Sequence, residues 1–161
     1  MSDALRILSD SPDETRRWGA RLGALLDVGD VVLLSGELGA GKTVFVQGMA
    51  SGLGYAGPVS SKSFVLLGEY HGRITLYHAD LYRLEEPEQV EELALDEVCA
   101  GGALAVEWPE RAAEVLPEEH LLVRFEVTGE ETRELVAAAR GVHARRLLAG
   151  LREASGLRER A

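Results

Sequence analysis

The feature that most constrains this chain is the stretch GELGAGKT at positions 36–43. It matches the pattern G-x-x-x-x-G-K-[ST] at every fixed position, which is typical of loops that surround nucleotide phosphates. Such a loop needs a buried strand before it and a helix after it. An apolar run at 31–34 precedes it, and a segment with helical spacing follows it. The sequence therefore indicates a phosphate-binding loop rather than an incidental glycine-rich turn.

The fixed side chains of this loop type have separate tasks, because backbone amides and the helix N-terminus already surround the phosphates. We expect Lys42 to reach the outer phosphates and the Thr43 hydroxyl to ligate Mg²⁺. The whole loop is expected to contact the nucleotide, through Glu37, Leu38, Gly39, Ala40, Gly41, Lys42, Thr43 and Val44.

Two acidic residues at predicted strand ends are candidates for completing the site. Glu107 follows the apolar run at 103–106, and Asp80 ends the run at 76–80. Ligands gather at the carboxyl ends of strands in an open α/β sheet, so either carboxylate could serve magnesium or position the attacking group. The alternative for each is a surface or capping carboxylate.

Three further features admit more than one interpretation. Trp108 suits core packing, a nucleotide-stacking surface or a contact with a partner. Ser60, Ser61 and Ser63 follow the loop helix, where nucleotide-sensing switch segments commonly lie, and they also suit an ordinary polar turn. His78 fits a packed or hydrogen-bonded histidine better than a catalyst.

Hydrophobic periodicity predicts a single α/β domain. The pattern indicates a short strand near 5–8, a helix that Ser11 caps and that ends near Gly29, and a strand at 103–106. Two antiparallel pairs are also expected, a hairpin of 64–70 with 73–78 and a closing pair of 121–127 with 135–139. The sum is a three-layer sandwich like that of P-loop NTPases, with helices around a mixed parallel and antiparallel sheet.

Charge and composition exclude several classes of protein. The net charge of −10 argues against tight, autonomous binding to a nucleic-acid backbone. The single cysteine, Cys99, excludes an internal disulfide and is expected of a cytoplasmic protein from a reducing compartment. The longest stretch without charged side chains, 43–61, contains four glycines and a proline, so no membrane span is expected.

Four blocks in this order and spacing, GELGAGKT, SSKSFVLLGEY, LYHADLYRL and VEWPER, resemble the bacterial TsaE (YjeE) family. That family is the ATPase component of the machinery that makes N6-threonylcarbamoyladenosine on tRNA. The resemblance implies ATP and Mg²⁺ as ligands and the TsaB–TsaD pair as protein partners, with tRNA touched indirectly or weakly. TsaD carries the transferase site in that machinery.

By position, the resemblance implies a role for each candidate residue. Lys42, Asp80 and Glu107 form the catalytic set, with Glu107 joining Thr43 on magnesium and Asp80 in a catalytic or switch role near the γ-phosphate. Trp108 matches a family tryptophan and is expected to contact ATP. Ser61 and Ser63 match the hydroxyl positions of a switch block, but Lys62 replaces the family's proline and Ser63 its threonine.

The division of the chain follows from the extent of the resemblance and from charge. Residues 1–140 are expected to form the P-loop ATPase domain, and 141–161 an arginine-rich tail that is helical around 145–152 and frayed beyond it. That tail could touch tRNA or an acidic partner, or be a solvated helix. The segment 85–97 holds seven carboxylates and suits either a protein contact or a solvated helix face.

The function that the resemblance implies is a Mg²⁺-dependent ATPase subunit, which we expect to be weak alone and stimulated by its partners. Two alternatives share the same loop. One is a small-molecule kinase, against which the acidic segment 85–97 counts if the acceptor is anionic. The other is a nucleotide-gated binding module with negligible turnover.

Overall fold

The computed structural model describes residues 4–59, 67–84, 86, 88–91 and 95–160, and of 96, 98, 99 and 157–160 it describes the backbone only. The strands are β1 (Leu5–Ser9), β2 (Val31–Ser35), β3 (Leu67–His71), β4 (Thr75–Asp80), β5 (Gly102–Glu107), β6 (His120–Val127) and β7 (Arg133–Arg140). The helices are α1 (Pro12–Leu25), α2 (Lys42–Gly52), α3 (Glu88–Glu91), α4 (Leu95–Ala100) and α5 (Val142–Arg160). Two short 3-10 turns follow β5, at Pro109–Arg111 and Ala113–Val115.

Within the described ranges, seven strands form one sheet in the order β1-β7-β6-β2-β5-β4-β3. The four central strands β6, β2, β5 and β4 run parallel. At the two sides, β7 and β3 run antiparallel to their neighbours, and β1 pairs antiparallel with β7. The predicted mixed sheet, hairpin and closing strand pair are therefore confirmed.

Helices cover both faces of this sheet. On β2, Val32 and Leu34 pack into the larger core cluster, which contains residues of α1, α2 and α5. Val31 and Leu33 face the other way, into a second cluster that includes Val90 of α3 and residues from the turns after β5. An apolar strand buried on both faces is what a central parallel strand requires. The predicted three-layer arrangement is confirmed.

The first helix begins as predicted and ends earlier. The Ser11 hydroxyl accepts the backbone N–H of Glu14 at 3.1 Å, which satisfies one of the free amides of the first turn. The helix ends at Leu25 rather than near Gly29. The guanidinium of Arg73, from the β3–β4 turn, donates to carbonyl oxygens at this end. A contact distant in the sequence thus takes over the carbonyls of the last turn.

The C-terminal helix α5 is longer and more buried than expected. It continues to Arg160, past the helical span of 145–152 that the sequence indicated, and its inner leucines Leu147 and Leu151 belong to the larger core cluster. The Arg146 guanidinium also donates to the buried carboxylate of Asp30 at 2.5 Å. Packing along one face stabilises a helix that its sequence alone would leave solvated. No helix in the described part of the chain, α5 included, has the length and hydropathy of a membrane span.

Helices α1 and α2 pack with almost no space between their backbones. A Cβ at Gly48 would lie 2.0 Å from the carbonyl oxygen of Arg16, and one at Gly19 would lie 2.2 Å from that of Phe45. Glycine at these positions allows the helix that follows the phosphate loop to lie directly against α1. The loop is therefore mounted on a closely packed helix pair.

We expect Gly48→Ala to destabilise the protein by about 1–3 kcal/mol, because the added methyl would press on the α1 backbone. The measurement is urea unfolding followed by far-ultraviolet circular dichroism. Gly156→Ala in α5 is the matched control, since nothing lies within 4 Å of the added Cβ. That control should be neutral or stabilising by up to about 1 kcal/mol, as expected for alanine in a helix. Equal stabilities of the two variants would contradict the close packing.

Candidate nucleotide site

The backbone between β2 and α2 has the shape that the loop pattern predicts. Gly39 and Gly41 have positive φ angles of 83° and 102°, a region that favours glycine. Gly41 is the N-cap of α2, and the helix begins at Lys42. The free amides and the positive end of the helix dipole therefore point toward the loop. The predicted order of strand, loop and helix is confirmed.

Lys42 is buried, with 4% of its surface exposed. Its ammonium group donates to the carbonyl oxygens of Gly36 and Glu37 and lies 3.6 Å from the centroid of the Trp108 ring. An ammonium over an aromatic face is electrostatically favourable. Trp108 has a φ of 60°, alone among the non-glycine residues that the structure describes. This left-handed turn follows β5 directly, at the edge of the sheet where the loop lies.

Two carboxylates reach the same edge from neighbouring strands. Glu107 is the last residue of β5 and Asp80 the last of β4, and the parallel register pairs them directly. The Thr43 hydroxyl lies 3.2 Å from each carboxylate oxygen of Glu107, to which it can donate. Parallel pairing thus places two acids, distant in sequence, beside the first turn of α2.

A cavity of about 490 Å³ opens along this edge, within the range of small-molecule sites. Residues of the phosphate loop and residues at or directly after the strand ends line it together. The lining is Leu38, Gly39, Ala40, Gly41, Lys42, Thr43, Val44, Asp80, Tyr82, Arg83, Glu107 and Trp108.

A family model described as threonylcarbamoyl adenosine biosynthesis protein TsaE matches residues 9–135. The chain belongs to the TsaE family. The match covers the phosphate loop, both strand-end carboxylates and Trp108.

Individual relatives and a solved structure agree with this membership. A protein from Treponema pallidum named tRNA threonylcarbamoyladenosine biosynthesis protein TsaE is 44% identical over 135 residues, which is 83% of this chain and 100% of that protein. A Bacillus subtilis protein of the same name is 41% identical over 133 residues, 81% of this chain and 83% of that one. The crystal structure of B. subtilis YdiB has a TM-score of 0.81 at 34% identity, covering 96% of this chain and 98% of that chain.

The structure brings most of the predicted site residues of this TsaE chain together. Asp80, Glu107 and Trp108 all line the cavity, as do the loop residues Leu38, Gly39, Ala40, Gly41, Lys42, Thr43 and Val44. Glu37 contributes its carbonyl oxygen to the ammonium of Lys42, at 3.4 Å. Ser61 and Ser63, with Ser60 and Lys62, lie outside the described residues, so the switch assignment stays a prediction.

Two residues that line the cavity were not predicted from the sequence. Tyr82 and Arg83 follow Asp80 in the block LYHADLYRL and extend the cavity wall beyond β4. The centroid of the Tyr82 ring lies 4.9 Å from that of Trp108, the ring that contacts the ammonium of Lys42. Their position directly after a strand-end acid was a signal in the sequence, since residues that follow such strands lie at the same sheet edge.

Arg133, the first residue of β7, forms hydrogen bonds with the phosphate loop. Its guanidinium donates to the carbonyl oxygens of Ala40 at 3.1 Å and Gly39 at 3.2 Å. It also donates to carbonyls of the β6–β7 turn, at Gly129 and at Thr132. In a trans peptide the N–H points away from the C=O, so binding the Ala40 carbonyl sets the direction of the next amide. Nothing in the sequence near Arg133 indicates this contact.

Burial and charge shift the ionisation of the site. Burial lowers the pKa of Lys42, and the carboxylates of Glu107, Glu110 and Asp80 oppose that change. Burial raises the pKa of Asp80, helped by the negative charge of Glu107 and opposed by the backbone N–H of Tyr82. Desolvation is the largest cause of both shifts, so burying the charged forms of these two side chains costs free energy.

We expect Arg133→Met to weaken binding of a non-hydrolysable ATP analogue about tenfold, because losing charged hydrogen bonds of about 1.5 kcal/mol releases the loop carbonyls. Isothermal titration calorimetry measures the affinity. Arg140→Met, at the exposed far end of the same strand, is the matched control and should bind like the wild type. An unchanged affinity of Arg133→Met would show that the loop keeps its shape without the guanidinium.

We expect Asp80→Asn to stabilise the protein without nucleotide at pH 7. Because its pKa is raised on folding, the Asp80 carboxyl loses its proton first in the unfolded chain, at its ordinary value of 3.8. Stability is therefore lost as the pH rises from that value through the folded pKa, and the amide avoids the loss. Thermal unfolding from pH 4 to 7.5 should show a difference between variant and wild type that grows with pH.

The matched control for this experiment is Asp10→Asn, which changes an exposed carboxylate. We expect this variant to keep a melting temperature at pH 7 close to that of the wild type, because surface substitutions usually change stability little. A neutral-pH melting temperature of Asp80→Asn at or below that of the wild type would contradict the burial cost assigned to Asp80.

Proposed function

We propose that this protein is the ATP-binding and ATP-hydrolysing subunit of the machinery that makes threonylcarbamoyladenosine on tRNA, and that its nucleotide state controls the TsaB–TsaD pair. The observation that carries the proposal is the convergence of Lys42, Thr43, Asp80 and Glu107 on one cavity beside the loop. The names of the relatives support the pathway, and the sequence resemblance supports the two partners.

In this proposal the loop amides and the N-terminus of α2 bind the phosphates of ATP. The ammonium of Lys42 exchanges its carbonyl acceptors, at Gly36 and Glu37, for phosphate oxygens, which are stronger acceptors because they are charged. Trp108 lies above that ammonium and borders the same cavity. The ring would thereby exclude water from one side of the bound phosphates.

The donor set at the cavity fits a magnesium ion. The hydroxyl of Thr43 and the carboxylate of Glu107 are hard oxygen ligands and lie side by side, with 3.2 Å from Thr43 Oγ1 to each Glu107 oxygen. We assign the holding of Mg²⁺ to these two residues. When bound, the ion supplies charge neutralisation and orientation of the phosphates.

Asp80 remains to position the attacking water. Its Oδ1 accepts the backbone N–H of Tyr82 at 3.1 Å, which orients the carboxylate at the rim of the cavity. Its raised pKa, caused by burial, makes the carboxylate a better proton acceptor than an exposed aspartate. Asp80 can therefore hold a water by hydrogen bonding and accept a proton as that water attacks.

We expect weak activity alone and stimulation by partners, because a phosphate loop binds the nucleotide but does not by itself supply every group that hydrolysis needs. A partner can order a switch segment or complete the charge stabilisation of the transferred phosphoryl group. Ser61 and Ser63 remain the proposed switch residues.

We propose that the acidic segment 85–97 contacts a partner protein. Its described and exposed carboxylates are Glu86, Glu88, Glu91 and Glu97. The net charge of −10 favours indirect contact with tRNA, and a cytoplasmic location suits this work.

The test is phosphate release from ATP by the purified protein, alone and with the TsaB–TsaD pair. We expect a low rate alone and a strong increase with the pair. Lys42→Ala, Asp80→Ala and Glu107→Ala should each remove the stimulated rate, by about a hundredfold or more for groups that stabilise a transferred phosphoryl charge. The matched control is Glu114→Gln, an exposed carboxylate outside the cavity, which should behave like the wild type.

Each other outcome identifies a different function. ADP formed without free phosphate in the presence of a metabolite would indicate a kinase. ATP binding without turnover, alone and with partners, would indicate a nucleotide-gated binding module and would withdraw the role of Asp80. Full stimulated activity in all three alanine variants would show that the site is assigned wrongly.

A further inference from the structure

The buried histidine His78 has no task in the proposed reaction, although it contacts a residue that does. It is 4% exposed and lies in the middle of β4. Its Nε2 is 2.6 Å from Oε2 of Glu107, which is itself 2% exposed. A carboxylate this buried needs hydrogen-bond donors, and His78 is one of two side chains that the described contacts give it, with Thr43 as the other.

A second residue completes the hydrogen bonding of this histidine. The hydroxyl of Tyr70, on β3, lies 3.0 Å from Nδ1 of His78, and Tyr70 is 7% exposed. An Nε2–H of His78 can donate to Glu107, while the second ring nitrogen shares a hydrogen bond with the Tyr70 hydroxyl in which either group can be the donor. Burial raises the pKa of Tyr70, so its side chain enters this contact as a hydroxyl.

The strand registers make room for this line of contacts. Gly68 is paired with His78 across the β3–β4 hairpin, and a Cβ at Gly68 would lie 3.1 Å from the Tyr70 hydroxyl. On the other side, β5 presents the small residue Ala105 opposite His78. The Tyr70 side chain can therefore reach His78 diagonally across the hairpin, and the His78 side chain can reach Glu107 diagonally on β5.

We propose that Tyr70 and His78 are positioning residues that hold the Glu107 carboxylate, through Oε2, in the orientation that lets it share a divalent cation with Thr43. This inference rests on the proposed function, because it concerns the metal role assigned there to Glu107. The contact on Oε2 restrains rotation of the carboxylate, both oxygens of which lie 3.2 Å from Thr43 Oγ1. Hydrogen bonds of this kind, behind a metal ligand, typically change metal affinity about 10–100-fold when removed.

A histidine with a purely structural role would give a different result. Its removal would lower the stability of the protein and weaken nucleotide binding with and without metal alike. A positioning role predicts a selective effect on the metal. The distinguishing quantity is therefore the concentration of Mg²⁺ needed to strengthen binding of a non-hydrolysable ATP analogue, compared with the affinity for that analogue in EDTA.

The experiment measures that midpoint by calorimetry for four variants. His78→Leu removes both hydrogen bonds, and we expect its Mg²⁺ midpoint to rise about 10–100-fold while the affinity in EDTA stays near that of the wild type. Tyr70→Phe removes a single hydroxyl and should raise the midpoint about fivefold. His78→Gln, which can offer an amide N–H in place of Nε2, should recover part of the loss. Tyr77→Phe, on the same strand and outside the line of contacts, is the matched control.

The outcomes separate this proposal from the proposed function. Thermal unfolding without ligand first establishes that each variant is folded, and Tyr70→Phe provides the test if the leucine variant is not. Unchanged Mg²⁺ midpoints in folded Tyr70→Phe and His78 variants, with a wild-type midpoint that Glu107→Gln abolishes, would overturn the positioning role alone. A wild type whose binding does not respond to Mg²⁺ would overturn both.

Discussion

The parallel pairing of β2, β5 and β4 is the constraint on which the site depends. Parallel strands that share a register end at the same edge, and here that edge receives the phosphate loop from β2, Glu107 from β5 and Asp80 from β4. Each of these groups comes from a different part of the chain. If one strand shifted by a single residue, its terminal acid would point to the opposite face of the sheet. The ladder hydrogen bonds and the two-sided core therefore set the geometry of the chemistry.

The fold supports this edge from both faces. Below the loop, α1 and α2 touch backbone to backbone at Gly19 and Gly48, which leaves little freedom for the helix that begins at Lys42. Helix α5 adds its leucines to the same side and is tied to the base of β2 through Arg146 and Asp30. A rigid support is needed because phosphate binding depends on amide directions, which change with small movements of the backbone.

The site concentrates features of the molecule that cost free energy. A buried ammonium, two carboxylates paired across adjacent strands and a left-handed tryptophan lie within one cavity. Each is unfavourable by itself, through desolvation, like-charge repulsion or backbone strain. Their concentration at one edge is typical of functional sites, where the stability of the rest of the fold offsets the local cost. The line from Tyr70 through His78 to Glu107 satisfies the hydrogen bonds of a carboxylate that would otherwise be buried with fewer donors.

Local chemistry determined much of this protein directly from the sequence. The loop at 36–43, its preceding strand and following helix, the Ser11 cap and the strand-end acids Asp80 and Glu107 are each specified by residues close together in the chain. Short-range patterns suffice for these features because helix caps, buried strands and phosphate loops depend on neighbouring residues. The four sequence blocks were likewise enough to identify the TsaE family.

Tertiary structure alone decided the contacts between distant residues. Arg133 meets the loop only because β7 pairs with β6, which lies beside β2, and Tyr70 meets His78 only through the hairpin register. The full length of α5 depended on packing of its leucine face against the core. Its arginine-rich sequence had indicated a largely solvated tail. Such contacts join residues that no local pattern relates, and their partners are set by strand order and by burial. The physical reason is that pairing across a sheet is a property of the whole core, whereas a cap or a loop is a property of a few consecutive residues.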